Sequence, residues 1–345
     1  MQHRLALVDD PLFLEHRAEG PHPERPERLE AARAAVAGAR LGSAPERLAP
    51  RDASDGELGR VHGEGYIEEL GVAAGRRGYF DADTYYAPCS VAAARRAAGG
   101  AVELVDRLMR EQAGFGVALV RPPGHHARPD SAMGFCLLNN VAVAAAHARA
   151  NGASRVAIVD FDVHHGNGTQ EMFYADPSVL YVSLHQFPFY PGTGAVHEVG
   201  AGDGRGYTLN VPLSAGAGDA VYVAAFDRLI APVLSQFDPD LVLISAGFDA
   251  HRRDPLASMS LSETAYAEMT RRIGKAVPRG ADGRIALLLE GGYDLQGLES
   301  SLKAALEALA SQETESVPDL GTISPIHRQD LARALDAQRQ YWKLD

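Results

Sequence analysis

The stretch Ile158-Val159-Asp160-Phe161-Asp162-Val163-His164-His165-Gly166-Asn167-Gly168 ends an apolar run with two carboxylates and an imidazole at every second position. Continued as a strand, it points Asp160, Asp162 and His164 to one face and turns His165 to the other. Two acids at that spacing repel each other in a buried cleft unless a cation or a hydrogen-bonded partner balances them. A metal is the simplest balance; a solvated edge-strand face is the plain alternative.

Three other runs share the design of this one, a short strand-forming segment followed by glycine or proline and an ionisable cluster. Gly116–Val120 leads into Arg121-Pro122-Pro123-Gly124-His125-His126, Leu241–Ile244 into Ser245-Ala246-Gly247-Phe248-Asp249-Ala250-His251, and Ile285–Leu289 into Glu290-Gly291-Gly292-Tyr293-Asp294. A further run, Val179–Leu184, ends at His185. Between them lie helical patterns over Asn140–Arg149, Asp219–Gln236, Ser262–Val277 and Leu298–Ala310. Strands alternating with helices predict an α/β protein, an open and mostly parallel sheet with helices on both faces. In such sheets ligands sit beyond the carboxyl ends of the strands, so the same topology gathers all the ionisable clusters at one rim. That shared placement favours a functional site over a solvated face.

There is no internal repeat, low-complexity tract or linker, and Gly200–Gly206 reads as a surface loop, so one domain over residues 1–345 is expected. Ser311 to Asp345 reads as a loop followed by a terminal helix around Asp330–Trp342. The net charge of -12 and pI near 5.5 disfavour attachment to nucleic acid and suit a cationic substrate. With only Cys89 and Cys136, neither a disulfide framework nor a cysteine-rich zinc site is available. The apolar start is too short for a signal peptide and no stretch is read as a membrane span, so the expected location is cytoplasmic. Three lysines (Lys275, Lys303, Lys343) among many arginines and alanines suggest a GC-rich bacterial source.

Asp162, His164 and Asp249 together would make a three-ligand N/O site with an open position, the arrangement of catalytic zinc. Such an ion acidifies bound water, which points to a hydrolase. His125 and His126 supply a general base and acid, and Tyr293 on its Gly-Gly turn an oxyanion donor. Each residue also has a plain reading: a surface His pair, a helix-capping Asp249, a core Tyr293.

Arg121-Pro122-Pro123-Gly124-His125-His126-Ala127, Gly134-Phe135-Cys136-Leu137-Leu138-Asn139-Asn140, the opening stretch with Thr169-Gln170, and Glu290-Gly291-Gly292-Tyr293 together resemble the histone deacetylase superfamily. His22-Pro23-Glu24-Arg25-Pro26-Glu27-Arg28-Leu29 and Val61-His62 extend the resemblance toward the start, and Asn167 with Glu-Gly-Gly-Tyr is similar to the class II branch and its bacterial relatives. The resemblance implies the arginase-deacetylase fold and one catalytic Zn²⁺ on Asp162, His164 and Asp249. It makes His126 the principal general base and acid, oriented by Asn167, with His125 paired to Asp160 and contributing mainly electrostatics. Tyr293 would polarise the amide carbonyl, and Gly134, Phe135, Tyr190 and Leu256 would line the acyl-lysine channel, Tyr190 standing where the family more often has Phe. Arg28 matches a position lining the cavity where acetate leaves. A structural K⁺ (or Na⁺) is implied at Asp160, Asp162, His164, Ser183 and Leu184, and a second at Phe173, Asp176, Val179 and Tyr207.

The implied substrate is an acylated lysine in a peptide or protein, with an acetylpolyamine as the alternative. Acetylpolyamine specialists of the family commonly carry a gatekeeper Glu after the third metal ligand, where this chain has Leu256, so lysine deacylation is preferred. A binuclear manganese ureohydrolase needs a different order of acids and histidine, and a silent acyl-lysine binding module needs a missing catalytic group. Homo-oligomerisation is left open.

Overall fold

The computed structural model describes residues 4–110, 114–277, 284–311 and 321–344. Ten strands occur in it: β1 Leu5–Val8, β2 Glu46–Leu48, β3 Gly78–Tyr79, β4 Tyr85–Tyr86, β5 Phe115–Ala118, β6 Val156–Asp160, β7 Val179–Gln186, β8 Thr208–Leu213, β9 Leu241–Ala246 and β10 Ile285–Leu289. The helices are α1 Glu27–Gly38, α2 Asp55–Leu58, α3 Glu64–Ala73, α4 Ser90–Arg110, α5 Asn140–Ala150, α6 Asn167–Phe173, α7 Asp219–Ala225, α8 Ala231–Phe237, α9 Glu263–Ala276, α10 Leu295–Ala310 and α11 Pro325–Gln338. Eight strands form one sheet in the order β2-β1-β5-β10-β9-β6-β7-β8, every neighbouring pair parallel; β3 and β4 make a separate antiparallel hairpin. This is the predicted α/β architecture.

The central strands are apolar at successive positions because helices cover both faces, and β5, β6, β7, β9 and β10 are buried throughout. Their register decides where the chemistry goes. Ala118 pairs with Leu288, Leu288 with Ser245, Ser245 with Asp160 and Asp160 with Ser183. Four neighbouring pairs therefore stand level, and the ionisable clusters that follow them emerge at one rim.

The predicted helices form with small shifts. Asn139 caps α5, accepting from the Ala142 N–H, Ser262 caps α9 and Asp294 caps α10. The terminal helix starts earlier than predicted, because Ser324 caps it and Pro325 fills a position that needs no N–H donor. Of the predicted loop before it, residues 312–320 lie outside the described residues, as do residues 1–3 of the chain start. The expectation that nothing approaches a membrane span needs correction. Asp219–Phe237 is a continuous 19-residue helical stretch, long and apolar enough to cross one. Val221, Tyr222, Phe226, Leu229, Ile230, Val233, Leu234 and Phe237 spend that apolarity on the core. A π turn at Phe226–Ile230 widens the stretch just before Pro232, whose missing N–H leaves one bond out of the helical ladder.

A fully buried ionic knot ties the first thirty residues to the sheet. Arg121, just past β5, donates to the Glu24 carboxylate at 2.5 and 2.8 Å and to the carbonyls of Phe13 and His16. Arg28 reaches the same carboxylate at 3.2 Å. Burial alone would raise the Glu24 pKa, but Arg121 and His16 hold it well below the usual carboxylate range. Further along, His62 accepts the Asn139 N–H at Nε2 and donates through Nδ1 to the Arg128 carbonyl.

Two outcomes are expected. Glu24→Ala leaves two buried guanidiniums uncompensated and lowers the unfolding free energy by about 3–5 kcal/mol, read from the urea midpoint; a shift under about 1 kcal/mol would show that the knot contributes little. Burial pulls the His62 imidazole from 6.5 down to about 4. Its contribution is therefore complete above the unfolded pKa and is lost as pH falls through that window, up to about 3 kcal/mol. Urea titrations across this range should show the loss, and His62→Gln should flatten it; an identical slope in the variant would assign the acid lability to other histidines.

Candidate active site

Strand β6 stops at Asp160, and the chain bends through Asp162 and His164 instead of continuing extended. Alternation along a strand is thus not what separates these side chains. Asp160 stays beneath the sheet end, its Oδ2 on His125 Nδ1 at 2.9 Å and on the Tyr181 hydroxyl at 3.1 Å. Asp162 and His164 swing toward Asp249, which follows β9. His165 leaves the centre because its ring is held elsewhere, by Thr193 Oγ1 at 2.7 Å and Gln170 Oε1 at 3.0 Å.

Asp162, His164 and Asp249 bring one donor atom each within 4.8 Å of one another. His164 Nδ1 lies 3.1 Å from Asp162 Oδ1 and 3.1 Å from Asp249 Oδ2. The other carboxylate oxygens are fixed by backbone, Asp162 Oδ2 accepting the Gly291 N–H and Asp249 Oδ1 the Val163 N–H. Gly291 is required there, since a Cβ would stand 2.2 Å from Asp249 Oδ2 and 2.5 Å from Asp162 Oδ2.

Burial and the neighbouring Asp162 push Asp249 up to about 7. Asp162 resists burial and is held low by His125 and His164. Against its own burial, His164 is raised to about 10 by Asp162 and Asp249. The three groups thus favour added positive charge at their centre, and their N/O donor set suits zinc.

The paired imidazoles, His125 and His126, lie on the loop after β5. Glu290, fully buried, accepts the N–H groups of Gly124 and His125 at 2.6 and 3.1 Å, and burial raises it to about 7. His126 Nδ1 is 2.8 Å from Asn167 Oδ1, at the first turn of α6. An amide oxygen only accepts, so Nδ1 carries the proton and Nε2 keeps its lone pair. Burial, then the charges of His125 and His164, holds the His126 pKa well below normal. His125 is raised well above normal by Asp160 and Asp162 although burial opposes it. The two imidazoles, their rings 4.0 Å apart, are thereby driven to different protonation states.

Aromatic rings shape the approach. Phe135 stands edge-on to Tyr293 at 6.0 Å; both Gly134 and Phe135 have left-handed backbone (φ 55° and 70°), with the Phe135 N–H on Thr84 Oγ1. Tyr190 is edge-on to His126 at 5.3 Å. The residue before it, Phe189, stacks on His164 at 5.5 Å and was not anticipated; its signal is a second aromatic beside the one chosen. Asp254 was also missed: it accepts the N–H groups of Tyr293, Asp294 and Leu256, so one buried carboxylate joins the Tyr293 turn to the Leu256 segment. Arg28 lies under the Tyr293 ring at 5.0 Å and donates to the carbonyls of Glu290 and Gly292, which makes it a brace for that turn.

Of the residues matched to monovalent cations, Ser183 pairs in register with Asp160, and Leu184 follows it in β7. Between α6 and β7, the Phe173 carbonyl accepts the Asp176 N–H and the Asp176 carbonyl the Val179 N–H, and the Tyr207 carbonyl accepts the Tyr181 N–H.

Comparison with known proteins agrees with this geometry. Residues 22–309 match the histone deacetylase domain family. Histone deacetylase 15 of Arabidopsis thaliana is 44% identical over 331 residues, covering 93% of this chain and 59% of its own length. The human polyamine deacetylase HDAC10 is 40% identical over 341 residues, covering 93% of this chain and 49% of its own. This chain therefore spans between about half and three fifths of those two relatives. The crystal structure of the HDA15 HD domain superposes with a TM-score of 0.91 at 41% identity, over 99% of this chain and 96% of that one. The eight-stranded parallel sheet flanked by helices is that of the arginase-deacetylase fold, and the chain belongs to the histone deacetylase family, whose members hydrolyse acetylated amides with zinc.

Proposed function

We propose that this chain hydrolyses the amide of an Nε-acyl-lysine, chiefly acetyl-lysine, in peptides or proteins. The observation that carries this reading is the convergence of Asp162, His164 and Asp249 beneath an aromatic approach that also presents His126 and Tyr293. A zinc ion held by those three residues would polarise the amide carbonyl and acidify water there. His126, with Nε2 unprotonated, takes the proton of the attacking water and returns it to the departing amine. His125, paired with Asp160, contributes positive charge beside the developing oxyanion, and Tyr293 donates its hydroxyl to it. Phe135 and Tyr190 wall the lysine stem and keep water out, and Leu256 lies on the segment joined to the Tyr293 turn by Asp254. Arg28 holds that turn in place from the cavity side. K⁺ or Na⁺ near Asp160, Asp162, His164, Ser183 and Leu184, and near Phe173, Asp176, Val179 and Tyr207, would stiffen the strand ends that carry the site.

Acetylpolyamine is the second reading, favoured by the likeness to a relative named as a polyamine deacetylase and by the net charge of -12, which attracts cationic amines.

A parallel hydrolysis screen of acetyl-lysine peptides and acetylpolyamines, with metal analysis of the same sample, separates the readings. The expected result is faster turnover of the peptides with about one zinc per chain, loss on chelation and recovery on adding zinc. Turnover of polyamines alone would replace the first reading with the second, and about two metals per chain with no deacylation would defeat both. Tyr293→Phe should lower turnover about 10²–10³-fold on the better substrate, and an unchanged rate would remove the hydroxyl from the mechanism.

A further inference from the structure

We infer that Glu198 is the latch that sets the width of the acyl channel and hence the acyl groups it admits; this rests on the deacylase reading above. One wall of the channel is the loop 187–195, whose Phe189 ring stacks on His164 and whose Tyr190 ring meets His126 edge-on. At Pro191 and Thr193 this wall borders a cleft of about 640 Å³, which Asn167, Gln170, Tyr174 and Glu198 also line. A loop with that much space beside it depends on polar bonds as well as packing to keep its position.

Those bonds converge on one carboxylate. Glu198 accepts the Gly194 N–H at 3.1 Å and the Ala195 N–H at 2.9 Å, and takes a third hydrogen bond from Gln170 Nε2 at 2.6 Å. Gln170 is itself fixed, its Oε1 accepting from Asn210 Nδ2 at 2.7 Å and meeting His165 Nε2 at 3.0 Å, while His165 Nδ1 meets Thr193 Oγ1 in the wall. Gln170 and Asn167 lie on the same helix, α6, so the carboxylate fastens the wall to the element that orients His126.

Gly194 shows how closely the wall is drawn in. Its φ is +89°, and a Cβ there would stand 2.5 Å from His185 Nε2 and 2.6 Å from His165 Cγ. No side chain fits between the two imidazoles, and the backbone N–H is left for Glu198 to take.

Without the carboxylate, the loop can retreat into the cleft, carrying Phe189 and Tyr190 off His164 and His126. The channel then widens, longer acyl chains enter, and acetyl is gripped less well. Glu198 acts through the loop and not on the substrate, so it is a positioning residue.

The test compares wild type, Glu198→Ala and the double variant Gln170→Glu/Glu198→Gln, which exchanges donor and acceptor, keeps the net charge and the Oε1 bonds to Gly194 and Ala195, and gives up only the second contact of Gly194 with Oε2. Each is assayed on acetyl-lysine and octanoyl-lysine forms of one peptide, and the exchange of the Gly194 and Ala195 amides with deuterium is followed. Glu198→Ala should raise KM for the acetyl peptide and increase the octanoyl-to-acetyl ratio of kcat/KM by about tenfold or more. It should also speed exchange at both amides, and the double variant should restore selectivity and protection together. If Glu198→Ala slows both substrates by one factor, or if the two amides stay protected, the latch is overturned. If wild type hydrolyses neither peptide, the deacylase reading fails, and amide exchange alone decides whether Glu198 holds the loop.

Discussion

Two carboxylates that repel each other are held together in a dry place, and most of the site's construction answers that constraint. Asp162 and Asp249 share one small centre with His164, both fully buried. Water cannot screen them, so the surrounding backbone does part of the work: the N–H groups of Gly291 and Val163 each take one oxygen. What remains is a demand for positive charge at a point where two oxygens and one nitrogen converge, and a divalent cation meets it better than protons do. The imidazole pair follows from the same field. His125, beside Asp160 and Asp162, is drawn toward its charged form, and burial together with that charge keeps His126 neutral and able to accept a proton.

Holding such a centre needs support from every side, and the support is ionic where the core is deepest. Glu24 binds two arginines, one following β5 and one under the Tyr293 turn, so a segment near the chain start steadies both the histidine loop and the tyrosine loop. Glu290 links the same two loops through the Gly124 and His125 N–H groups, and Asp254 does likewise for the Tyr293 turn and the Leu256 segment. Three buried acids outside the Asp162–His164–Asp249 centre thus act as spacers between loops, and each binds backbone N–H or guanidinium groups that would otherwise be unsatisfied.

Much of the fold could be read because burial on both faces leaves a strong trace. The runs at Val156–Val159, Leu241–Ile244 and Ile285–Leu289 are continuously apolar, and they form the sheet's central strands. The edge of the sheet was less legible: β2, Glu46–Leu48, is three residues long and partly exposed, so it carries no apolar pattern. The candidate residues were named from their neighbours in sequence, and the structure brings Asp162, His164 and Asp249 together as named. The roles of Glu290, Asp254, Phe189 and Glu198 were not assigned, because a carboxylate that braces a loop has the same composition as one on a surface. Only its partners, distant in sequence, distinguish the two.

What the sequence determined by itself was the set of candidate groups and their shared location, since strand, turn and ionisable cluster recur in one order and parallel connections send every cluster to the same end of the sheet. What only the tertiary structure decided was how those groups are aimed. Alternation along a strand predicts that His165 faces away from the centre, yet β6 ends at Asp160 and His165 is turned away by Thr193 and Gln170. Alternation is a property of local backbone that three consecutive residues can reveal. Hydrogen bonds across 28 residues to Thr193, or across 166 between Gly124 and Glu290, depend on register and loop closure, which no local pattern encodes.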